Sequence, residues 1–210
     1  MSQERDYVLG THDEESARLL LQHRVWRPRA LDAWRRAGFT VGQTLVDLGC
    51  GPGHAAVDLA EIVGPAGRIV AIDRSRRFLD TLEATCRQRG IDQITPLELD
   101  LNTAGPPPGA ADGLWARWVF AFVKQPRELL ARVGGALKRG GVLVVHEYFD
   151  YRVWQWPAGF IRVGLARLVE LGHLTSERAR AIADALAARE AAPHTLMVTP
   201  ALLEIIAVRR

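Results

Sequence analysis

The segment Val46-Asp47-Leu48-Gly49-Cys50-Gly51-Pro52-Gly53 holds the residues of the chain best suited to chemistry. It completes a short β-favouring run, Thr44 to Leu48, and directly precedes an apolar helical stretch from Ala55 to Val63. Glycine at such a turn lets the backbone bend tightly and approach a ligand with no Cβ in the way, while the helix start presents free N–H groups. A nucleotide-like ligand is the natural occupant. A dinucleotide loop reads G-x-G-x-x-G and aims its helix dipole at a pyrophosphate. Here the glycines fall at 49, 51 and 53 without that gap, and Asp47 stands before them. A carboxylate there would repel a pyrophosphate, but it can pair, directly or through water, with a cationic amino group. The expected ligand carries an ammonium and no phosphates.

Two further acids follow at matching places. Asp73 ends a second apolar run about twenty residues after Gly53, where a carboxylate can accept both hydroxyls of a ribose; capping the helix that begins near Ser75 is a compatible role. Asp100 closes a third run, Leu97-Glu98-Leu99-Asp100-Leu101, where it can accept from the exocyclic amine of adenine. Three acids at the C-terminal ends of three successive strands lie on the edge where open α/β sheets bind ligands.

The elements that must position these residues alternate. After the first strand and helix come a strand from Arg68 to Ile72, a helix from Ser75 to Gly90 and a strand from Ile94 to Leu99. The Pro106-Pro107-Pro108 loop leads to a fourth strand, Gly113 to Val119, then a helix from Pro126 to Leu137, a turn at Lys138-Arg139-Gly140-Gly141 and a fifth strand, Val142 to His146. This alternation predicts an α/β fold with a Rossmann-like, doubly wound, mostly parallel sheet. Residues 1–40 read as an amphipathic helical lead-in, with Pro28 restarting a helix that stops at Gly38. Residues 41–150 form the core. Residues 151–210 supply two helices, near Trp156 to Leu171 and Ser176 to Arg189, and strands at Thr195 to Val198 and Leu202 to Val208, within the same domain.

A chain of 210 residues with 48% hydrophobic content can bury the core of one domain. Its net charge of +3 comes from nearly balanced signs, which does not indicate nucleic-acid binding. No apolar stretch nears the roughly 18 residues of a membrane span, and no leader pattern is seen, so the chain reads as cytoplasmic without a membrane partner. Cys50 and Cys86 stand far apart with no metal-ligand cluster beside either, and the expected metal content is none.

Taken together, Asp47-x-Gly49-x-Gly51-x-Gly53, Asp73 and Asp100-Leu101 resemble the motifs of class I S-adenosylmethionine-dependent methyltransferases of the small-molecule type, in particular the ubiquinone/menaquinone-biosynthesis group. The resemblance covers about Tyr7 to Tyr148. It implies S-adenosylmethionine as cofactor, S-adenosylhomocysteine as product and a small, flat, apolar or aromatic acceptor. The cofactor-binding residues it implies are Tyr7, Gly10, Asp47, Gly49, Cys50, Gly51, Gly53, Asp73, Arg74, Asp100, Leu101, Arg117 and Trp118. Tyr7-Val8-Leu9-Gly10 resembles the family's N-terminal lid, and Arg117 and Trp118 fall where the family lines the methionine end of the cofactor. Leu137 to Gly141 is similar to the family's "L-x-P-G-G" turn, with Arg139 in place of proline.

After the fifth strand the chain looks short by one helix and one strand; with Leu202 to Val208 as the last strand, either Thr195 to Val198 substitutes for its neighbour or a second subunit completes the sheet edge as a homodimer. Methyl transfer is an in-line displacement that needs alignment and exclusion of water more than a base. Were a base used, His146 would be the first candidate, Glu147 the second and His12 the third, while the alternative for His146 is a structural histidine bonded to a backbone carbonyl. Aromatic residues from Trp115 to Trp156, Tyr148 among them, suit a flat acceptor or the core. Two rival readings remain: a member that binds the cofactor without turning it over, and a nicotinamide-dependent oxidoreductase.

Overall fold

A computed structural model describes residues 13–148, 158–191 and 202–210. The first element is one helix, α1 (Asp13–Arg36), with Pro28 inside it. Sequence reasoning places a break at Pro28. The helix runs through because Ala30, Ala33 and Trp34, all fully buried, face the sheet, and such burial can outweigh the roughly 3 kcal/mol that an internal proline costs. It ends as expected at Gly38, which adopts φ 76° while Gly38 N–H donates to Arg35 O and Phe39 N–H to Trp34 O.

The βα alternation then unfolds as β1 (Thr44–Leu48), α2 (His54–Val63), β2 (Arg68–Asp73), α3 (Arg76–Arg89), β3 (Ile94–Glu98) and β4 (Ala111–Arg117). A short 3-10 turn, Phe120–Phe122, leads to α4 (Pro126–Ala136) and β5 (Leu137–Tyr148). Then come α5 (Ala158–Glu170), α6 (Ser176–Ala191) and β6 (Leu202–Val208). The sheet order is β3-β2-β1-β4-β5-β6. The β1–β2, β2–β3, β1–β4 and β4–β5 pairs are parallel, so the chain order reverses beside β1, where a ligand crevice is expected in an open α/β sheet.

Side chains alternate between the two faces of each strand. Leu45, Ile69, Trp115 and Val144 pack on one face with residues of α1, α2 and α3. Val46, Ile72, Leu114 and Val145 pack on the other with Leu129 and Val133 of α4. By register Asp47 lies beside Trp115, and Arg117 beside His146. All four therefore belong to the α1 face.

The turn expected at Lys138 to Gly141 is instead part of β5. Gly140 N–H donates to Arg209 O at 2.8 Å and Arg209 N–H donates to Gly141 O at 2.9 Å, so two residues oppose one, with Gly140 at φ 80°. That is a bulge with a left-handed glycine at its first position. Turn-forming residues and bulge-forming residues are the same types, which is why local reading does not separate them. The bulge pairs Gly141 with Arg209, and His146 meets Glu204 five residues on, so β6 runs antiparallel to β5.

By its contacts the chain groups into two compact units, Gln22–Glu147 with Leu202–Arg210, and Met1–Leu21 with Tyr148–Ala201. In the second, α5 ends at Gly172 (φ 73°) with His173 N–H donating to Leu168 O, and α6 starts as expected at Thr175, whose Oγ1 accepts from Arg178 N–H. Thr195 to Val198 lies outside the described residues. Among the described residues no helix is long and apolar enough to cross a membrane.

Candidate functional site

The loop after β1 is built from three left-handed glycines, with φ 65° at Gly49, 54° at Gly51 and 85° at Gly53. Gly53 is also the residue from which α2 starts, and no side chain caps that helix end. Space forbids any other residue there: a Cβ on Gly53 would lie 2.3 Å from Leu82 Cδ1. The loop is fixed from two sides, since Cys50 N–H donates to Ile72 O and Gly51 N–H donates to Asp73 Oδ2 at 2.8 Å.

Asp47 is 2% exposed, and its Oδ2 has no hydrogen-bond partner among the described residues. Burial, aided by the negative charge of Asp73, pushes its carboxyl up to about 7, against the opposing pull of Arg117 and the Ala56 amide. A buried acceptor without a partner is unusual in a folded protein and points to a group that the described residues do not supply. Asp73, also buried, accepts from Gly51 N–H and Ser75 N–H through its two oxygens. Burial raises its pKa, and those amides oppose the rise. The capping reading passes to Ser75, whose Oγ accepts from Phe78 N–H at the start of α3.

Asp100 lies just past β3 in a turn and is exposed. Its Oδ1 accepts from both the backbone and the side chain of Asn102, which hold its pKa low. Leu101 beside it is buried. Arg74 is exposed next to Asp73, and Cys50 is buried with its thiol on Gly51 O. Tyr7, Gly10 and His12 lie outside the described residues, as do Phe149, Trp154 and Trp156.

At the end of β4, Arg117 Nη2 stands 3.1 Å from His23 Nδ1, and its guanidinium lies 4.9 Å from the Trp118 ring centroid. Trp118 adopts φ 55°, a conformation that strains a residue with a bulky side chain. Strain of this kind gathers at ligand-binding edges. The turn is held by its neighbours on β5: Trp118 N–H donates to His146 O, and Phe120 N–H donates to Glu147 Oε2 at 3.0 Å.

His146 itself has no exposed surface. Its Nε2 is 2.9 Å from Glu204 Oε2 of β6, and its ring packs edge-on to Trp115 at 4.8 Å. Burial, offset by Glu204, keeps its pKa below the ordinary value. Glu204 also pairs with Arg36 of α1. Other polar groups come together near the site with little local signal in the sequence. Asp58 in the apolar run of α2 accepts from Arg27 Nε at 2.8 Å and lies 3.2 Å from His23 Nε2. His54 is next to the His23 ring, and its own Nε2 is buried with no partner among the described residues. The one local signal was Asp58 itself, an acid amid Ala55, Ala56, Val57, Leu59 and Ala60. Among the described residues no three His, Cys, Asp or Glu side chains converge to hold a metal ion.

Comparison with known proteins finds similarities over part of the chain. A model of the methyltransferase domain matches residues 45–141. An uncharacterised 37.1 kDa protein of a Streptomyces fradiae transposon is 29% identical over 150 residues, covering 69% of this chain and 43% of its own length. Demethylmenaquinone methyltransferase of Lactococcus lactis is 27% identical over 126 residues, covering 60% of this chain and 49% of its own. The chain thus spans about half the length of the curated relatives it matches. A crystal structure of a SAM-dependent methyltransferase from Aquifex aeolicus is 18% identical with a TM-score of 0.59, covering 76% of this chain and 87% of its own, and shares the fold.

Proposed function

We infer that this chain, whose residues 45–141 match a model of the methyltransferase domain, belongs to the S-adenosylmethionine-dependent class and transfers a methyl group from S-adenosylmethionine to a small-molecule acceptor. The observation that carries the reading is Asp47, a buried carboxylate with one oxygen unpartnered among the described residues, beside a loop of left-handed glycines and with the cation Arg117 acting on it. An acid and a cation so placed suit the two ends of an amino-acid zwitterion. Asp47 takes the ammonium and Arg117 the carboxylate. Asp73 and Asp100 are assigned to the ribose and the adenine, with the loop amides near the sugar. The residues therefore fit the cofactor, which when bound would supply an electrophilic methyl on sulfonium sulfur.

The protein's part is to align and to exclude water. His146 and Glu147 serve this as positioning residues. His146, with no exposed surface and held by Glu204, offers its carbonyl to Trp118 N–H, and Glu147 takes Phe120 N–H, so both fix the turn that carries Arg117 and Trp118. Proton removal by His146 finds no support in so closed a setting. A flat apolar acceptor is assigned to the aromatic residues near that turn, Trp26 and Trp118, whose rings meet edge-on at 6.1 Å.

Binding should release a proton. Asp47 is largely protonated below about 7 in the empty site, and an ammonium against it favours the charged form. Titration of S-adenosylhomocysteine at pH 6 in buffers of different ionisation heats should therefore give enthalpies that differ by close to about one proton, shrinking toward zero at pH 8. Enthalpies independent of buffer at both pH values would remove Asp47 from the ammonium site.

A homodimer is proposed from the outer strand β6, whose Leu203, Ile205 and Val208 are exposed. Light scattering at micromolar concentration should give twice the chain mass, and a single-chain mass excludes the pairing. A cytoplasmic setting is the reading that suits two unpaired cysteines, Cys50 and Cys86.

A further inference from the structure

We infer that His23 and Asp58 form a relay that sets the guanidinium of Arg117 for the carboxylate of the cofactor's amino-acid end, an inference that rests on the function proposed above. The three residues come from three elements, α1, α2 and the end of β4. His23 is 5% and Asp58 7% exposed, so neither is a surface pair.

The chemistry of the contacts fixes their direction. A guanidinium only donates, so at the 3.1 Å contact His23 Nδ1 must accept from Arg117 Nη2. The ring proton then sits on Nε2, which faces Asp58 Oδ2 at 3.2 Å. Asp58 thus selects the one neutral tautomer that can receive Arg117. With His23 protonated, an N–H would stand against the N–H groups of Arg117. Arg27, on the next turn of α1, donates to the same Asp58 oxygen at 2.8 Å and keeps that carboxylate charged and in place.

Burial alone gives no reason for this order. Asp58 could be neutralised by Arg27 without any histidine, and α1 already buries Ala30, Ala33 and Trp34. What the histidine adds is a fixed acceptor for one arm of Arg117, which together with the Trp118 ring 4.9 Å from the guanidinium limits how that group turns beside Asp47. Orientation matters here because a bidentate pair with a carboxylate needs the plane as well as the charge. His23 and Asp58 are positioning residues, acting on the ligand through Arg117.

The test uses two ligands that share the nucleoside and thioether. S-adenosylhomocysteine carries the amino-acid end, and 5′-methylthioadenosine lacks it. Calorimetric titrations compare wild type, Asp58→Asn and His23→Gln. Each variant should weaken S-adenosylhomocysteine about tenfold and leave 5′-methylthioadenosine unchanged. His23→Gln decides alone if Asp58→Asn fails to fold, since it leaves Asp58 paired with Arg27. Equal weakening of both ligands would make the relay a prop for α1 and overturn the inference, as would no weakening of either. Wild-type protein that binds neither ligand fails the proposed function itself, a result the variants are not needed to read.

Discussion

Replacing Asp47 with asparagine should weaken S-adenosylhomocysteine binding by about tenfold to a hundredfold and, in the same protein, raise the melting temperature of the empty form at pH 8. The two effects have one cause. Asp47 has a carboxyl raised from 3.8 to about 7, with burial as the main reason. A raised carboxyl is more easily kept protonated in the folded than in the unfolded chain. Its contribution to stability is therefore fully present below pH 3.8 and is lost as pH climbs to about 7. Above that pH the charged group is a fixed burden on the empty fold, of a few kcal/mol at roughly 1.4 kcal/mol per pKa unit. Asparagine lifts the burden at pH 8 but not at pH 4, where both chains carry a neutral group, and it cannot offer an ammonium a full charge. Melting curves at the two pH values, with titration at pH 8, check both arms. A variant less stable than wild type at pH 8 would mean that Asp47 is a structural acid.

The second large effect is expected at Asp73. Asp73→Ala removes the acceptor for Gly51 N–H and Ser75 N–H, both at 2.8 Å, together with the oxygens proposed for the ribose. Hydrogen bonds to a charged acceptor are worth about 1.5–3 kcal/mol each, so a loss of S-adenosylhomocysteine affinity of about 2–3 kcal/mol is expected by calorimetry. Unlike Asp47→Asn, this change should also lower the melting temperature, because it frees the glycine loop from the end of β2. Affinity within twofold of wild type would rule out the ribose role.

Residues close in sequence were the legible ones. The glycine loop, Asp73 and the βα alternation each lie within one strand-turn-helix unit, where local preference and final structure agree, and the strands and helices fall within a few residues of their expected places. The proline of α1 and the glycines of β5 depart from local expectation because tertiary contacts decide them: Trp34 and its neighbours hold the helix together across Pro28, and Arg209 turns Gly140-Gly141 into a bulge. The pairings themselves carry no local signal. His23 meets Arg117 across 94 positions and His146 meets Glu204 across 58, on strands and helices brought together only by the sheet order. A lone histidine in a helix carries no mark of the partner it will find.

These long-range pairs also bear on the role of His146. A histidine at the C-terminal end of a strand in such a sheet sits where catalytic groups gather, and the contacts with Glu204 and Trp115 and the full burial of its side chain favour the positioning role proposed for it. Its chain position still serves the site, through the carbonyl that holds Trp118.

The measurement that bears most directly on the function is a calorimetric titration of the wild-type protein with S-adenosylhomocysteine, run beside NADH at the same pH. Saturable one-to-one binding of S-adenosylhomocysteine with no heat from NADH is the expected result. No binding of S-adenosylhomocysteine, or binding of NADH in its place, would contradict the assignment of Asp47 and the glycine loop to a methyl donor.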